Sequence, residues 1–295
     1  MESKNKKINT NELMKVFNIE PIKKLGQNFL HDFNIVEKIV LSAEVTKEDT
    51  VIEIGPGLGV MTSYLAERAK KVIAVEIDKK LIPVLELLQS DFDNIEIINQ
   101  DILKLDLKND LFNKYCSGDN VKVVANLPYY ITTPIIMKFL EEDIKSLDSM
   151  TFLVQKEVAE RICAKPGGKE YGSLTVAVNY FAKSKIMFKV PPTVFIPKPN
   201  VDSSVIRLDV RKESPFYLKD QEYFFKVLKA SFAQRRKTLA NSLANSSYLD
   251  VSREDVYRAL DELGKGHSIR GEVLSSEEFG KLANILYDIK EKYKS

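Results

Sequence analysis

Between residues 50 and 154 strand-like and helix-like segments alternate, without an internal sequence repeat. The strand-like segments are short runs of branched apolar residues with a glycine or polar residue at the end, and the others have helical apolar spacing. Thr50-Val-Ile-Glu-Ile reads as a buried strand ended by glycines, with a helix from Leu58 to Ala69. Val72-Ile-Ala-Val is a second strand, followed by a helix from Lys79 to Gln89 with Pro83 in its first turns. Ile95-Glu-Ile-Ile and Val121-Lys-Val-Val-Ala are the third and fourth strands, Pro134 to Leu140 a helix, and Met150-Thr-Phe-Leu-Val a fifth strand. Near-continuous apolar strands alternating with helices predict parallel βαβ units covered on both faces. The fold class is therefore α/β.

The flanks are different. Residues 1–20 read as a basic lead-in and a short helix stopped near Pro21, and Asp32 stands as N-cap before the stripe Val36, Ile39, Val40 and Ala43. Ile186 to Val190 and Val205 to Val210 fit an antiparallel edge, while Leu174 to Phe181 fits helix and strand equally. After Pro215 the β signals stop, and from Gln221 the apolar spacing is helical, as in Phe224, Val227 and Leu228. This places a boundary near residue 212, between a larger domain of residues 1–212 and a small all-α domain of residues 213–295.

Composition narrows the classes of function. With 44% hydrophobic and 29% charged residues the chain has material for a core, which excludes disorder and a disulfide-built mini-protein. No run approaches the ~18 apolar residues of a membrane helix, and the charged N-terminus has no apolar run behind it, so no secretory signal is expected. Cys116 and Cys163 form no CxxC pair, which fits a reducing cytoplasm and no structural metal. With His31 and His267 the only histidines, His-based catalysis and metal ligation are disfavoured. The net charge of +2 conceals −5 over residues 51–150 (11 basic, 16 acidic) and +9 over residues 151–241 (17 basic, 8 acidic). A polyanion held by one part of the chain would suit that split, as would ordinary solvated lysines.

Open parallel sheets bind ligands beyond the carboxyl ends of their strands. There the predicted strands present Gly55-Pro-Gly-Leu-Gly59, Glu76, Asp101 and Asn126-Leu-Pro-Tyr129, at steps of 21, 25 and 25 residues. Singly, each has a plain explanation: a tight turn, a polar strand end, a cap. Their shared phase points to one pocket for an adenosine-containing cofactor. Glycines let the backbone approach a ligand, Glu76 can accept from both ribose hydroxyls, and Asp101 can accept from an adenine amino group. Val60 stands one place after Gly59, so the third glycine of the dinucleotide fingerprint is missing. S-adenosylmethionine, which has no pyrophosphate, is favoured over a nicotinamide.

Asn126-Leu-Pro-Tyr-Tyr130 is the more specific signal. An exocyclic adenine amine is a poor nucleophile because its lone pair is delocalised into the ring. The Asn126 side-chain carbonyl and the Leu127 backbone carbonyl could accept its two N–H bonds and bias nitrogen toward tetrahedral geometry. Tyr129 offers a stacking face, worth ~1–3 kcal/mol per base. Such a site works by positioning and needs no strong base.

Lys24-Leu-Gly-Gln-Asn-Phe-Leu30, Glu53-Ile-Gly-Pro-Gly-Leu-Gly59, Asn126 to Pro134, and Val190-Pro-Pro-Thr-Val-Phe-Ile-Pro-Lys-Pro-Asn-Val-Asp202 together resemble the ribosomal RNA adenine dimethyltransferases, their bacterial small-subunit branch above all. The resemblance implies a Rossmann-like methyltransferase sheet of seven mostly parallel strands and a helical C-terminal domain. It implies dimethylation of N6 on two adjacent adenosines in the 3′-terminal hairpin loop of small-subunit ribosomal RNA, and a role in small-subunit biogenesis. Carried over by motif, Asn28, Leu30, Gly55, Glu76, Asp101 and Asn126 hold the cofactor. Asn126 and Leu127 orient the amine, and Tyr129 and Phe195 sandwich an extruded adenine. Arg235, Arg236 and Lys237 become phosphate contacts, and the loop Lys165 to Gly172 a mobile element near RNA. The expected partners are ribosomal RNA and the assembling small subunit, met by a cytoplasmic monomer without metal or membrane.

Four rival functions stay in view. They are a ribosome-assembly factor with secondary catalysis, a large-subunit methylase of the erythromycin-resistance type, a DNA adenine methylase and a nicotinamide dehydrogenase. The Tyr-Tyr-Ile-Thr-Thr-Pro continuation after Pro128 and the segment Phe232 to Leu243 favour the small-subunit enzyme over the large-subunit one.

Overall fold

Alternating strand and helix signals resolve into a chain-order series in the computed structural model, which describes residues 10–292. The basic lead-in, residues 1–9, therefore lies outside the described residues. Helix α1 (Thr10–Val16), strand β1 (Phe29–Leu30) and helix α2 (Phe33–Ser42) come first. They are followed by β2 (Asp49–Ile54), α3 (Val60–Arg68), β3 (Lys71–Glu76), α4 (Ile82–Gln89), β4 (Ile95–Asn99) and the short α5 (Asn113–Tyr115). Next are β5 (Asn120–Asn126), α6 (Thr132–Glu141), β6 (Leu147–Gln155), α7 (Lys156–Ile162) and α8 (Ser173–Phe181). Strands β7 (Ala182–Val190), β8 (Phe195–Ile196) and β9 (Ser203–Val210) precede α9 (Gln221–Ala233), α10 (Leu239–Ala244), α11 (Arg253–Glu262) and α12 (Ser276–Lys292).

The described residues divide into two compact units, one of residues 10–159 and 184–210, the other of residues 160–183 and 211–292. A single cut after residue 212 thus leaves out one excursion: residues 160–183 cluster with the C-terminal helices. Tyr171 is the physical reason, fully buried with its phenol donating to the Leu274 carbonyl at 2.8 Å and its ring 6.1 Å from that of Phe232. Tyr180 of α8 joins the same unit through rings of Phe216, Phe224 and Phe225. Leu174 to Phe181, ambiguous by pattern, is helical.

In the first unit seven strands form one sheet in the order β4-β3-β2-β5-β6-β9-β7. Strands β2 to β6 pair in parallel and β9 pairs antiparallel with β6. All six residues of β2 are buried, as expected of a central strand covered on both faces. The chain runs outward from β2 through β3 to β4 and then returns to β5 on β2's other side. The sheet therefore has its topological switch point between β2 and β5, where a crevice opens at the carboxyl ends. Asp32 caps α2 as expected, its carboxylate accepting from the amides of Asn34 and Ile35. A two-stranded ribbon of β1 and β8 has no counterpart in the sequence reading, because two-residue strands carry no periodic signal. Among the described residues no helix is long and apolar enough to cross a membrane.

Candidate functional site

At the switch point lies a cavity of about 250 Å³. Eight of the residues singled out in the sequence border it: Asn28, Leu30, Gly55, Glu76, Asp101, Asn126, Leu127 and Tyr129. The strand register explains the convergence. Ile54 pairs with Val75 and Ala125, and Glu76 with Asn99, so β2, β3, β4 and β5 end at one rim.

The glycine bend forms the floor. Gly55 has φ +64°, and a Cβ built on it would meet nothing within 4 Å, so the bend leaves open space where a side chain would stand. At Gly57 a Cβ would come within 3.1 Å of the Phe29 ring, so the bend also accommodates the segment packed over it. Glu76 is 4% exposed; its two oxygens accept from the amides of Gly57 at 3.2 Å and Asp78 at 2.8 Å. Each oxygen keeps lone-pair capacity for a ligand hydroxyl. Burial pushes its pKa up to about 7, against the pull of those two amides. Asp101 stands two residues past the last residue of β4, in a turn where its carboxylate accepts from Leu103 N–H at 3.0 Å.

Glu53, inside β2, also borders the cavity and is fully buried, with no hydrogen bond to either oxygen. Burial, reinforced by the neighbouring Glu76 charge, pushes its pKa up to about 8; the Thr62 hydroxyl nearby offsets part of this without closing a well-formed bond. The sequence reading passed over Glu53 as part of a strand. Its signal was a carboxylate amid branched apolar residues.

Asn126 ends β5. Its Nδ2 donates to the Asn28 carbonyl oxygen at 2.9 Å, which sets the amide's rotation and leaves Oδ1 free to accept. The Leu127 amide donates to the Leu153 carbonyl at 3.2 Å, while no hydrogen bond reaches the Leu127 carbonyl among the described residues. Two adjacent acceptors are thereby available at the cavity. The segment from Ile22 to Leu30 straps across its entrance. The Gln27 amide accepts from Ile22 N–H and donates to the Asp78 carboxylate, each at 2.8 Å, so the strap is tied to the β3 end as well as to β5.

The two expected stacking rings part company. Tyr129 borders the cavity, half-buried, its hydroxyl 2.8 Å from Ser203 Oγ at the start of β9. Phe195 does not. It is 3% exposed, pairs with Leu30 across the β1–β8 ribbon, and belongs to the core cluster with Leu30, Leu153 and Val205. An apolar ring beside a Pro-rich loop is drawn into the nearest core, and the ring expected to sandwich an extruded adenine with Tyr129 stands behind Leu30, outside the cavity lining. Ser203 is the partner that sequence reasoning missed, since no local pattern links residues 129 and 203.

Arg235, Arg236 and Lys237 belong to the second unit. They form an exposed turn between α9 and α10. The Arg235 guanidinium donates to the carbonyls of Lys169 and Tyr171 and lies 3.9 Å from Glu272, so it is engaged with its own chain. The loop around Lys165, expected to be mobile, is pinned by those bonds and by the Gly167 amide, which donates to the Glu272 carbonyl at 2.7 Å. Arg236 and Lys237 make no ion pair among the described residues. No group of three or more His, Cys, Asp or Glu side chains among them could hold a metal. His31 contacts a segment distant in the chain, its Nε2 lying 3.1 Å from the Thr193 carbonyl.

Residues 20–257 match the family model described as ribosomal RNA adenine dimethylase. The chain is 52% identical over 265 residues to a protein of Lachnoclostridium phytofermentans named ribosomal RNA small subunit methyltransferase A, covering 90% of this chain and 91% of that one. A protein of the same name from Clostridioides difficile is 49% identical over 277 residues, 94% of each chain. Among solved structures, a dimethyladenosine transferase from Plasmodium falciparum superposes with a TM-score of 0.74 at 26% identity, covering 90% of this chain and 98% of that one. A 23S rRNA methyltransferase, ErmE, gives 0.68 at 28% identity, covering 88% and 100%.

Proposed function

The chain belongs to the ribosomal RNA adenine dimethylase family, and from that premise we propose that it dimethylates N6 of two adjacent adenosines in the 3′-terminal hairpin loop of small-subunit ribosomal RNA. It is an S-adenosylmethionine-dependent enzyme with ribosomal RNA as substrate. Relatives named for the small subunit are about twice as similar in sequence as the large-subunit methyltransferase, at 52% against 28% identity, which disfavours the erythromycin-resistance alternative.

One observation carries the reading. The bend at Gly55, the carboxylates Glu76 and Asp101, and the amide of Asn126 meet at a single cavity. The space beyond Gly55 and the remaining lone pairs of Glu76 suit an adenosine-containing group. S-adenosylmethionine, when bound, supplies an electrophilic methyl on sulfonium sulfur. Asn28 and Leu30 cover it from the strap, Glu76 accepts from the ribose hydroxyls, and Asp101 accepts from the cofactor's adenine amine. The Asn126 Oδ1 and the Leu127 carbonyl accept the two N–H bonds of the target amine, withdrawing its lone pair from ring conjugation and aiming it at the methyl. These acceptors are fixed before substrate arrives, so the catalytic advantage is one of orientation. Tyr129, held by Ser203, stacks on the target adenine, which must leave its own stack to reach a buried centre. Phe195 acts from behind, supporting Leu30.

The unit of residues up to 159 and 184–210 supplies the methyltransferase domain, and the unit of residues 160–183 and 211 onward contacts RNA or the ribosomal particle. Arg236 and Lys237 serve phosphate there, with Arg235 bracing the loop beside them. The protein acts as a monomer in the cytoplasm, on the assembling small subunit. The test is transfer of labelled methyl to small subunits lacking the modification, followed by mapping of the modified nucleotides. Label at two adjacent adenosines, lost in Asn126→Ala, is the expected result. Particle binding with no methyl incorporation by the wild type would leave only a docking factor.

A further inference from the structure

Two consecutive tyrosines at the end of β5 have opposite environments. Tyr129 is half-buried and hydrogen-bonded, whereas Tyr130 is 60% exposed although it too borders the cavity. Its hydroxyl has no hydrogen bond among the described residues. Its ring nevertheless has a bed: a Cβ on Gly26 would lie 3.2 and 3.3 Å from two Tyr130 ring carbons and 3.4 Å from Pro128 Cβ. Gly26 has φ +61°, so a side chain there would be strained by its backbone and would have to shift the ring by a few tenths of an ångström. The backbone under the ring is also fixed, since the Ile131 amide and the Thr132 hydroxyl both donate to the Pro128 carbonyl, each at 3.2 Å. An aromatic plane is thereby held at the cavity rim by packing at one edge, with most of its surface turned to solvent.

We propose that Tyr130 is a second base-stacking subsite, taking the purine next in the strand to the one inserted into the cavity. The inference rests on the RNA adenine reading above and extends it to the neighbouring nucleotide. A strand that delivers one base into the cavity carries its flanking base to the rim, where the exposed ring stands. Stacking needs only a π-face, so the phenol oxygen is dispensable, which agrees with its lack of a partner. The site therefore holds two bases of the substrate, one inside on Tyr129 and one outside on Tyr130. This suits an enzyme whose two target adenosines are adjacent.

The experiment compares Tyr130→Ala, Tyr130→Phe and the wild type in methylation of small subunits. A second readout is binding of a hairpin-loop RNA with 2-aminopurine beside the inserted adenosine. The KM for the particle should rise roughly tenfold in Tyr130→Ala, the lower part of the range for loss of one stacked base, with cofactor affinity unchanged. Tyr130→Phe should match the wild type, and quenching of 2-aminopurine should persist in it and vanish in Tyr130→Ala. An alanine variant within twofold of wild-type KM that still quenches the probe would overturn the subsite. So would equal damage in Tyr130→Phe, or an equal loss of cofactor affinity in Tyr130→Ala, which would make the ring a prop for the strap. A wild type without methyl transfer would sink the parent function and this subsite with it.

Discussion

Replacing Glu53 by Gln should remove a pH-dependent weakness from the cofactor-free protein. Glu53 is fully buried without a hydrogen bond, and its pKa is pushed from the ordinary glutamate value of 4.5 to about 8. The folded chain therefore retains a proton that the unfolded chain releases above 4.5. Stability from this group is fully present below that value, declines as pH rises, and has been lost once pH passes the native value of about 8. The loss approaches 1.4 kcal/mol per pH unit and amounts to roughly 4 kcal/mol by pH 8. Gln keeps the shape and polarity of the protonated acid but cannot ionise. In urea unfolding without cofactor at pH 5, 6, 7 and 8, the variant's advantage over the wild type should widen by about 1 kcal/mol or more per unit. Parallel pH curves for the two proteins would refute the assignment of Glu53 as a buried neutral acid.

Other perturbations test the remaining parts of the site. Glu76 accepts best when ionised, so cofactor affinity should strengthen as pH rises toward its value of about 7 and then level off; calorimetric titration should show a flat profile in Glu76→Gln. Ser203→Ala frees the Tyr129 ring, so kcat should fall at least severalfold while cofactor affinity holds. Ser203→Thr, which restores a hydroxyl at 203, should recover most of the rate. Arg236→Ala and Lys237→Ala should each flatten the salt dependence of RNA affinity by about one ion. Arg235→Ala should instead speed proteolysis between residues 165 and 172, with little change in that slope.

Legibility in the sequence tracked the range of the interactions involved. Strands β2, β3, β5 and β6 announce themselves because nearly all their residues are buried and branched apolar residues dominate their runs, and β4 does so through Ile95, Ile97 and Ile98. Glu76 and Asn126 stand out because each is the polar residue that ends such a run, and Asp101 follows closely after one. These are local signals. The fate of Phe195 depends on Leu30, the support of Tyr129 on Ser203, and the engagement of Arg235 on a loop more than sixty residues away. Nothing local distinguishes a ring that will face a cavity from one drawn into a core. The excursion of residues 160–183 was hidden for the same reason, since Tyr171 gains its partners only when the C-terminal helices assemble.

The bond that aims the Asn126 amide ends on the main chain of residue 28, not on its side chain. A change of side chain at position 28 therefore keeps the acceptor of that bond, and touches the alignment of the nucleophile only through the loss of the Asn28 Nδ2 bond to the Gly26 carbonyl at 3.1 Å. Insertions or deletions between Pro21 and Leu30 have no such latitude, because they would displace the carbonyl itself. Evolutionary constraint on this stretch should accordingly fall on its length as well as on the letters with roles of their own, Gly26 and Gln27 among them.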